Sequence, residues 1–169
     1  MTLSSALLSV ITSTGLTIGG ANTVLIYIGG LTEAATANVS GTVTLNAIKR
    51  DEESQIIFQQ NRYESGSNDS KIYFKALTTN STHTTYLDGE TTITVGDFNG
   101  KANYYDDDSL TATFQLGTNI TLTMSGGGDV IFTGDEIREY GTIVGAGTYT
   151  TNGTVSYICL LYTSPSPRD

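Results

Sequence analysis

The stretch DGETTITVGDFNGKANYY (residues 88–105) decides the predicted fold, because it contains two turn signals with a threonine-rich run between them. Asp88-Gly89 joins residues 84–87 to 91–95, and Asn99-Gly100 joins residues 92–98 to 101–105. Asp-Gly and Asn-Gly tolerate the positive φ that type I′ turns require. Each pair therefore predicts a two-residue β-hairpin.

The same signals continue on both sides of this stretch. Asn152-Gly153 predicts another hairpin, between residues 148–151 and 154–158. Apolar and polar residues alternate with the period of two that places one face of a strand in a core and the other in water. The predicted strands include residues 24–28, 39–47, 71–77, 110–116, 120–124 and 130–132.

Short strands with a turn signal at each junction are typical of sandwiches and barrels. No sequence repeat of 20–50 residues is visible, which disfavours a solenoid. The sequence thus predicts an all-β fold: an antiparallel β-sandwich or jelly-roll-like, hairpin-rich domain with an N-terminal arm.

Composition divides the chain into three segments. Residues 1–36 carry a single charged side chain, Glu33, and are predicted to form an arm or edge strands. Residues 37–158 form the predicted antiparallel domain, truncated at its C-terminal end. Residues 159–169, CLLYTSPSPRD, look like a translated sequencing adapter rather than native protein sequence, so they are set aside before the fold is considered.

The charge and residue content limit the classes of function. The chain has a net charge of −9 and 29 threonines, and only 15% of its residues are charged. Phosphate-backbone binding needs clustered Lys and Arg, so no nucleic-acid partner is predicted. No run of 18 apolar residues is present, so no membrane-spanning helix is predicted. One histidine and no cysteine before residue 159 argue against a zinc site.

The candidate site residues lie in and after the quoted stretch. Carboxylate and amide oxygens on a tight turn can coordinate Ca²⁺, although Lys101 occupies a position where a further oxygen ligand belongs. Exposed tyrosine rings beside carboxylates can stack on sugar rings. The candidate metal ligands are Asp97, Asn99, Asp106, Asp107 and Asp108, and the candidate ligand-binding residues are Tyr104 and Tyr105.

Catalytic constellations are not indicated by the sequence. The acidic residues Asp135, Glu136 and Glu139 raise the question of paired acid/base carboxylates, but solvated carboxylates in a turn are the simpler interpretation. His83 is predicted to be a surface histidine. No enzyme activity and no obligatory cofactor are therefore predicted, and Ca²⁺ is the one ion that the oxygen-bearing side chains named above could bind.

These observations favour a non-enzymatic structural or adhesion domain, either of a virus or phage particle or of a secreted microbial surface protein. Such a domain is extracellular or on the virion surface, and its partners are subunits of the same assembly or surface glycans. Residues 61–70 and 103–109 are the loops predicted to face a partner. The alternatives are a carbohydrate-binding module, with or without Ca²⁺, and a non-catalytic fragment of a polysaccharide-acting enzyme.

Overall fold

The computed structural model describes residues 1–29, 31–58, 71–87, 92–104, 111–118 and 120–158, with the side chains of 71 and 156–158 excepted. Strands dominate these residues, and two single-turn helices accompany them. The elements are β1 (Thr2–Leu3), α1 (Ser5–Leu8), β2 (Leu16–Gly20), β3 (Leu25–Ile28), α2 (Glu33–Thr36), β4 (Thr42–Ala47), β5 (Gln55–Phe58), β6 (Lys71–Ser81), β7 (Thr84–Leu87), β8 (Thr92–Lys101), β9 (Thr113–Leu116), β10 (Thr121–Met124), β11 (Val130–Glu139), β12 (Thr142–Val144) and β13 (Tyr149–Ile158).

All strand pairs in the described residues are parallel. Ten strands form one continuous path in the order β1-β3-β5-β7-β9-β11-β8-β6-β4-β2, and this sheet curls into a half-barrel. The strands β10, β12 and β13 pair beside that path. The predicted antiparallel sandwich or jelly roll is therefore wrong.

The pairing falls into three ladders of stacked strands. Ladder A contains residues 71–74, 92–95, 121–124 and 142–144. Ladder B contains residues 16–20, 42–47, 76–81, 97–101, 130–133 and 149–152. Ladder C contains residues 2–3, 25–28, 55–58, 84–87, 113–116, 136–139 and 154–158.

From residue 71 onward the chain passes through ladders A, B and C in turn and then returns to ladder A. Each circuit is one coil stacked on the previous coil, which is the winding of a β-solenoid. The expectation that a solenoid is disfavoured is therefore also wrong. Register partners on ladder B are separated by intervals that vary from about 19 residues (Val130 to Tyr149) to about 34 (Val43 to Leu77), so no fixed repeat is visible in the sequence.

Residues 1–36 belong to the first coils of this solenoid, and their strands β1 and β2 are the two terminal strands of the ten-strand path. The helices α1 and α2 each connect a ladder C strand to a ladder B strand, where later coils have a ladder A strand. Ser4 Oγ accepts a hydrogen bond from the Leu7 amide, and Thr32 Oγ1 accepts one from Ala35, so each short helix has an N-cap. Leu8 and Leu31 are buried in the common core.

Two of the predicted hairpin turns lie inside continuous strands. Asn99-Gly100 is within β8, and Asn152-Gly153 is within β13. Asp88-Gly89 lies outside the described residues, but its flanking strands β7 and β8 do not pair with each other. Gly153 is needed for close approach, since a Cβ there would lie 1.7 Å from the Gly134 carbonyl oxygen of the coil below.

The core lies inside the curled sheet and is lined by inward residues of all three ladders. Phe98 and Phe132 on ladder B meet Phe114 on ladder C. Phe114 stacks on Phe132 with ring centroids 4.2 Å apart, and Phe98 lies 5.9 Å from Phe114. Aromatic pairs of this kind add about 0.5–1.5 kcal/mol beyond the burial of their area. The inward aromatic residues therefore pack ladders B and C against each other.

Candidate binding surface

The outward residues of ladder A form columns of hydroxyl groups. Thr92, Thr121 and Thr142 are register neighbours, and Thr94 is the register neighbour of Thr123. Each is partly exposed, while the residues between them are buried. Because parallel strands lie about 4.8 Å apart, these hydroxyls repeat at that spacing along the solenoid.

An amide column continues this polar surface on ladder B. Asn46 and Asn80 are register neighbours, and the Asn80 Nδ2 donates a hydrogen bond to Asn46 Oδ1 at 2.8 Å. Lys101, Thr133 and Asn152 follow in the same column. These columns cannot be predicted from the sequence alone, because their members become neighbours only through the strand register. The alternation of threonine with apolar residues was their one visible signal.

The structure places Asp97 and Asn99 on the outer surface of ladder B, where both side chains are exposed. Asp97 Oδ1 accepts a hydrogen bond from the Asp129 amide at 3.1 Å. Asp129 Oδ1 in turn accepts one from the Thr148 amide at 3.1 Å. The two carboxylates thus bind backbone donors of successive coils at the corner between ladders A and B.

A shallow groove of about 280 Å³ runs beside these carboxylates. Both hydrogen-bond acceptors and apolar carbons line it. Its lining residues are Thr42, Ala76, Leu77, Thr78, Asp97, Phe98, Asn99, Asp129 and Ile131. Within the described ranges, no group of three or more His, Cys, Asp or Glu side chains is placed to hold a metal ion.

The other predicted site residues are only partly described. Tyr104 is 39% exposed, and its backbone amide donates to the Ser81 carbonyl at 2.9 Å. Lys101 Nζ lies 6.0 Å from the centroid of the Tyr104 ring, at the limit of a cation–π contact. Tyr105 and Asp106, Asp107 and Asp108 lie outside the described residues, as do residues 61–70 and the proposed adapter segment 159–169.

The acidic residues near the end of β11 point to opposite sides of their strand. Asp135 Oδ2 accepts a hydrogen bond from the Ala112 amide at 2.7 Å, and Glu136 Oε2 pairs with Arg138 Nη2 at 2.5 Å. Glu139 instead points into the core and is fully buried. Glu136 and Glu139 therefore do not face each other across a cleft, as a glycosidase pair would.

The environment of Glu139 changes its protonation. Neither carboxylate oxygen has a hydrogen-bond partner among the described residues. Burial penalises the charged form and raises the pKa of Glu139 from 4.5 to about 7. Its register neighbour on β9 is Leu116, so the local surroundings are apolar. The carboxyl group is a core residue near half-protonation at neutral pH and not part of the outer surface.

In comparisons with family models, curated proteins and solved structures, nothing matches this chain. The class of protein is therefore defined by the fold alone. The described residues form a parallel β-solenoid with columns of polar side chains on its outer surface. Among the residues that the structure describes, no helix is long and apolar enough to cross a membrane.

Proposed function

We propose that the chain is a non-enzymatic structural or adhesion domain, displayed on a virus or phage particle or on a secreted microbial surface protein. The observation that carries this proposal is the set of in-register columns on ladders A and B, which consist of hydroxyl and amide side chains together with Lys101. Threonine is stiff at χ1, so a partner that binds such a column immobilises little side-chain freedom.

The solenoid suits this role for mechanical and geometric reasons. Successive coils are hydrogen-bonded along ladders B and C, and from residue 71 onward also along ladder A, and the inward residues form one continuous apolar core. Stacked coils of this kind create extended surfaces that can contact a repeating partner at several points. A glycan surface offers hydroxyl groups at regular intervals, which the threonine columns can meet with donors and acceptors of their own.

An adhesion experiment tests the proposal. Beads coated with the chain should be retained on glycan-bearing microbial or host surfaces better than albumin-coated beads. Thr121→Lys should reduce retention, because it inserts a long charged side chain between Thr92 and Thr142 in the ladder A column. Thr154→Lys makes the same charge change on an exposed residue of ladder C, away from the columns of ladders A and B, and serves as the matched control. Retention no better than albumin, or release of sugars from the surface, would contradict the proposal.

A carbohydrate-binding module is the second candidate, favoured by the groove beside Asp97 and Asp129. The groove combines carboxylate and amide acceptors with apolar carbons, which is a common composition for sugar sites. A glycan array recorded with Ca²⁺ and with a chelator tests it. Binding that disappears in Asn99→Ala supports this candidate, and an array without signal under both conditions removes it.

A further inference from the structure

Ladder C carries two tyrosine rings in one column of its outer surface. Tyr27, Ile57 and Tyr86 are register partners on the adjacent strands β3, β5 and β7. Each is partly exposed, while the residues on both sides of it along its strand are buried, so all three side chains point away from the core. These three residues are called the ladder C stripe.

The sheet fixes the distance between the two rings. The strand β5 lies between β3 and β7, and parallel strands are about 4.8 Å apart, so Tyr27 and Tyr86 are separated by roughly 10 Å along the solenoid. On their other sides, β3 pairs with β1 and β7 pairs with β9. The stripe therefore lies within the sheet, and its spacing does not depend on a loop or on an open edge.

A column of uncharged polar side chains lies beside the stripe. Gln55, Thr84 and Thr113 are register partners on β5, β7 and β9, and each is partly exposed. Their amide and hydroxyl groups both donate and accept hydrogen bonds. None of the outward residues of β3, β5 and β7 is charged. This part of ladder C thus combines aromatic rings with a few neutral polar groups, which is a common composition for sugar sites.

We infer that the ladder C stripe binds a neutral, β-1,4-linked glycan chain that lies along the solenoid axis. In an extended chain of this linkage every second sugar ring presents the same face, and the two-sugar repeat is close in length to the separation of the tyrosines. Two sugars then stack on Tyr27 and Tyr86, and the sugar between them contacts Ile57. The net charge of −9 disfavours acidic polysaccharides.

The inference rests on the proposed adhesion to glycans, and it adds the class of glycan and a second contact surface. Depletion of the chain from solution by insoluble polysaccharides tests it. Cellulose or chitin, both neutral and β-1,4-linked, should deplete the wild-type chain, and α-1,4-linked granular starch should not. Soluble trisaccharides of the β-1,4 linkage should compete far better than disaccharides, because three consecutive sugars are needed to reach both rings.

Variants of the stripe make the result specific. Tyr86→Ala should raise the dissociation constant by at least about fivefold, since truncating an aromatic anchor removes its contact area. Tyr86→Phe keeps the ring and should bind like the wild type. Tyr73→Ala removes a partly exposed, outward tyrosine from ladder A and is the matched control. Circular dichroism checks the fold of each variant, and Tyr27→Ala tests the other ring if Tyr86→Ala does not fold.

Three results would overturn the inference: no depletion by either β-1,4-linked polysaccharide, equal depletion by starch, or a folded alanine variant of the stripe that binds as tightly as the wild type. Retention of the chain on glycan-bearing surfaces in the bead assay would then leave the proposed function standing. Failure in both assays would contradict the proposed function as well.

Discussion

Gly100 leaves the space that the Phe114 ring occupies. A Cβ at Gly100 would lie 2.2 Å from Phe114 Cε2 and 2.9 Å from its Cζ. Gly100 is on ladder B and Phe114 on ladder C, so the contact crosses the core. The glycine that the sequence marks as a turn residue is thus a packing residue in the middle of a strand.

Gly100→Ala should therefore destabilise the protein by about 1–3 kcal/mol, since overpacking a well-packed core costs this much. Urea unfolding followed by circular dichroism measures the change. Gly20→Ala is the matched control, because no atom lies within 4 Å of the position of its Cβ. Equal effects of the two substitutions would show that the Phe114 ring does not occupy this space.

Glu139 should make stability depend on pH. Its pKa is about 7 in the folded protein, against an ordinary value of 4.5. Between these two pH values the folded state holds a proton that the unfolded state has released, so the free energy of unfolding falls as the pH rises. The total loss is at most about 3.5 kcal/mol, at roughly 1.4 kcal/mol per pKa unit.

Glu139→Gln removes this titration, and its free energy of unfolding should be nearly level over the same range. The variant should be more stable than the wild type above pH 7, where the wild type carries a buried charge. The exposed Glu33→Gln is the control and should keep the pH dependence of the wild type. A wild type whose stability rises from pH 4.5 to pH 7 while Glu139→Gln stays level would contradict the buried position of this carboxyl group.

The amide pair of Asn46 and Asn80 should couple energetically across two coils. A double-mutant cycle with alanine at each position should give a coupling energy of about 0.5–1.5 kcal/mol, the usual net value of a hydrogen bond. Thr44 and Thr78, neighbouring partners in the same ladder, provide the comparison cycle and should couple more weakly. A coupling energy near zero for Asn46 and Asn80 would contradict the hydrogen bond between their side chains.

The Asp129 side chain should act as an acceptor for a backbone amide rather than as a charge. Asp129→Ala should lower the free energy of unfolding by about 1 kcal/mol, because the Thr148 amide loses its partner. Asp129→Asn retains an acceptor oxygen and should be close to wild type. Thermal unfolding of the two variants distinguishes a hydrogen-bonding role from an ionic role. An Asp129→Asn variant as unstable as Asp129→Ala would indicate that the charge of Asp129 is what stabilises the fold.

Much of the local structure could be predicted from the sequence. The alternation at residues 39–47 predicts β4, and that at residues 120–124 predicts β10, with Leu45 and Leu122 buried as expected. A period of two identifies a strand and its inward face because side chains alternate across it. It contains no information about which strand lies alongside.

Strand pairing could not be predicted for two physical reasons. Asn-Gly is a turn signal only when its glycine needs positive φ, and Gly100 is instead selected by the space that Phe114 requires. Connections of unequal length between successive coils also remove any fixed repeat, as with Val43, Leu77 and Phe98. The outward threonine and asparagine columns depend on the register of the paired strands, so they could not be predicted either.

Spin-label distances along ladder B test the parallel solenoid most directly. Cys159→Ser first removes the one cysteine of the sequence. One label is then placed at Thr150 and the second at Thr78, Thr44 or Thr17, all outward positions in one register column. The strand spacing of about 4.8 Å predicts backbone separations of roughly 14, 19 and 24 Å for these three pairs. Distances that increase in this order by one strand spacing per coil are the result that the solenoid predicts. Distances that do not increase in this order would contradict it.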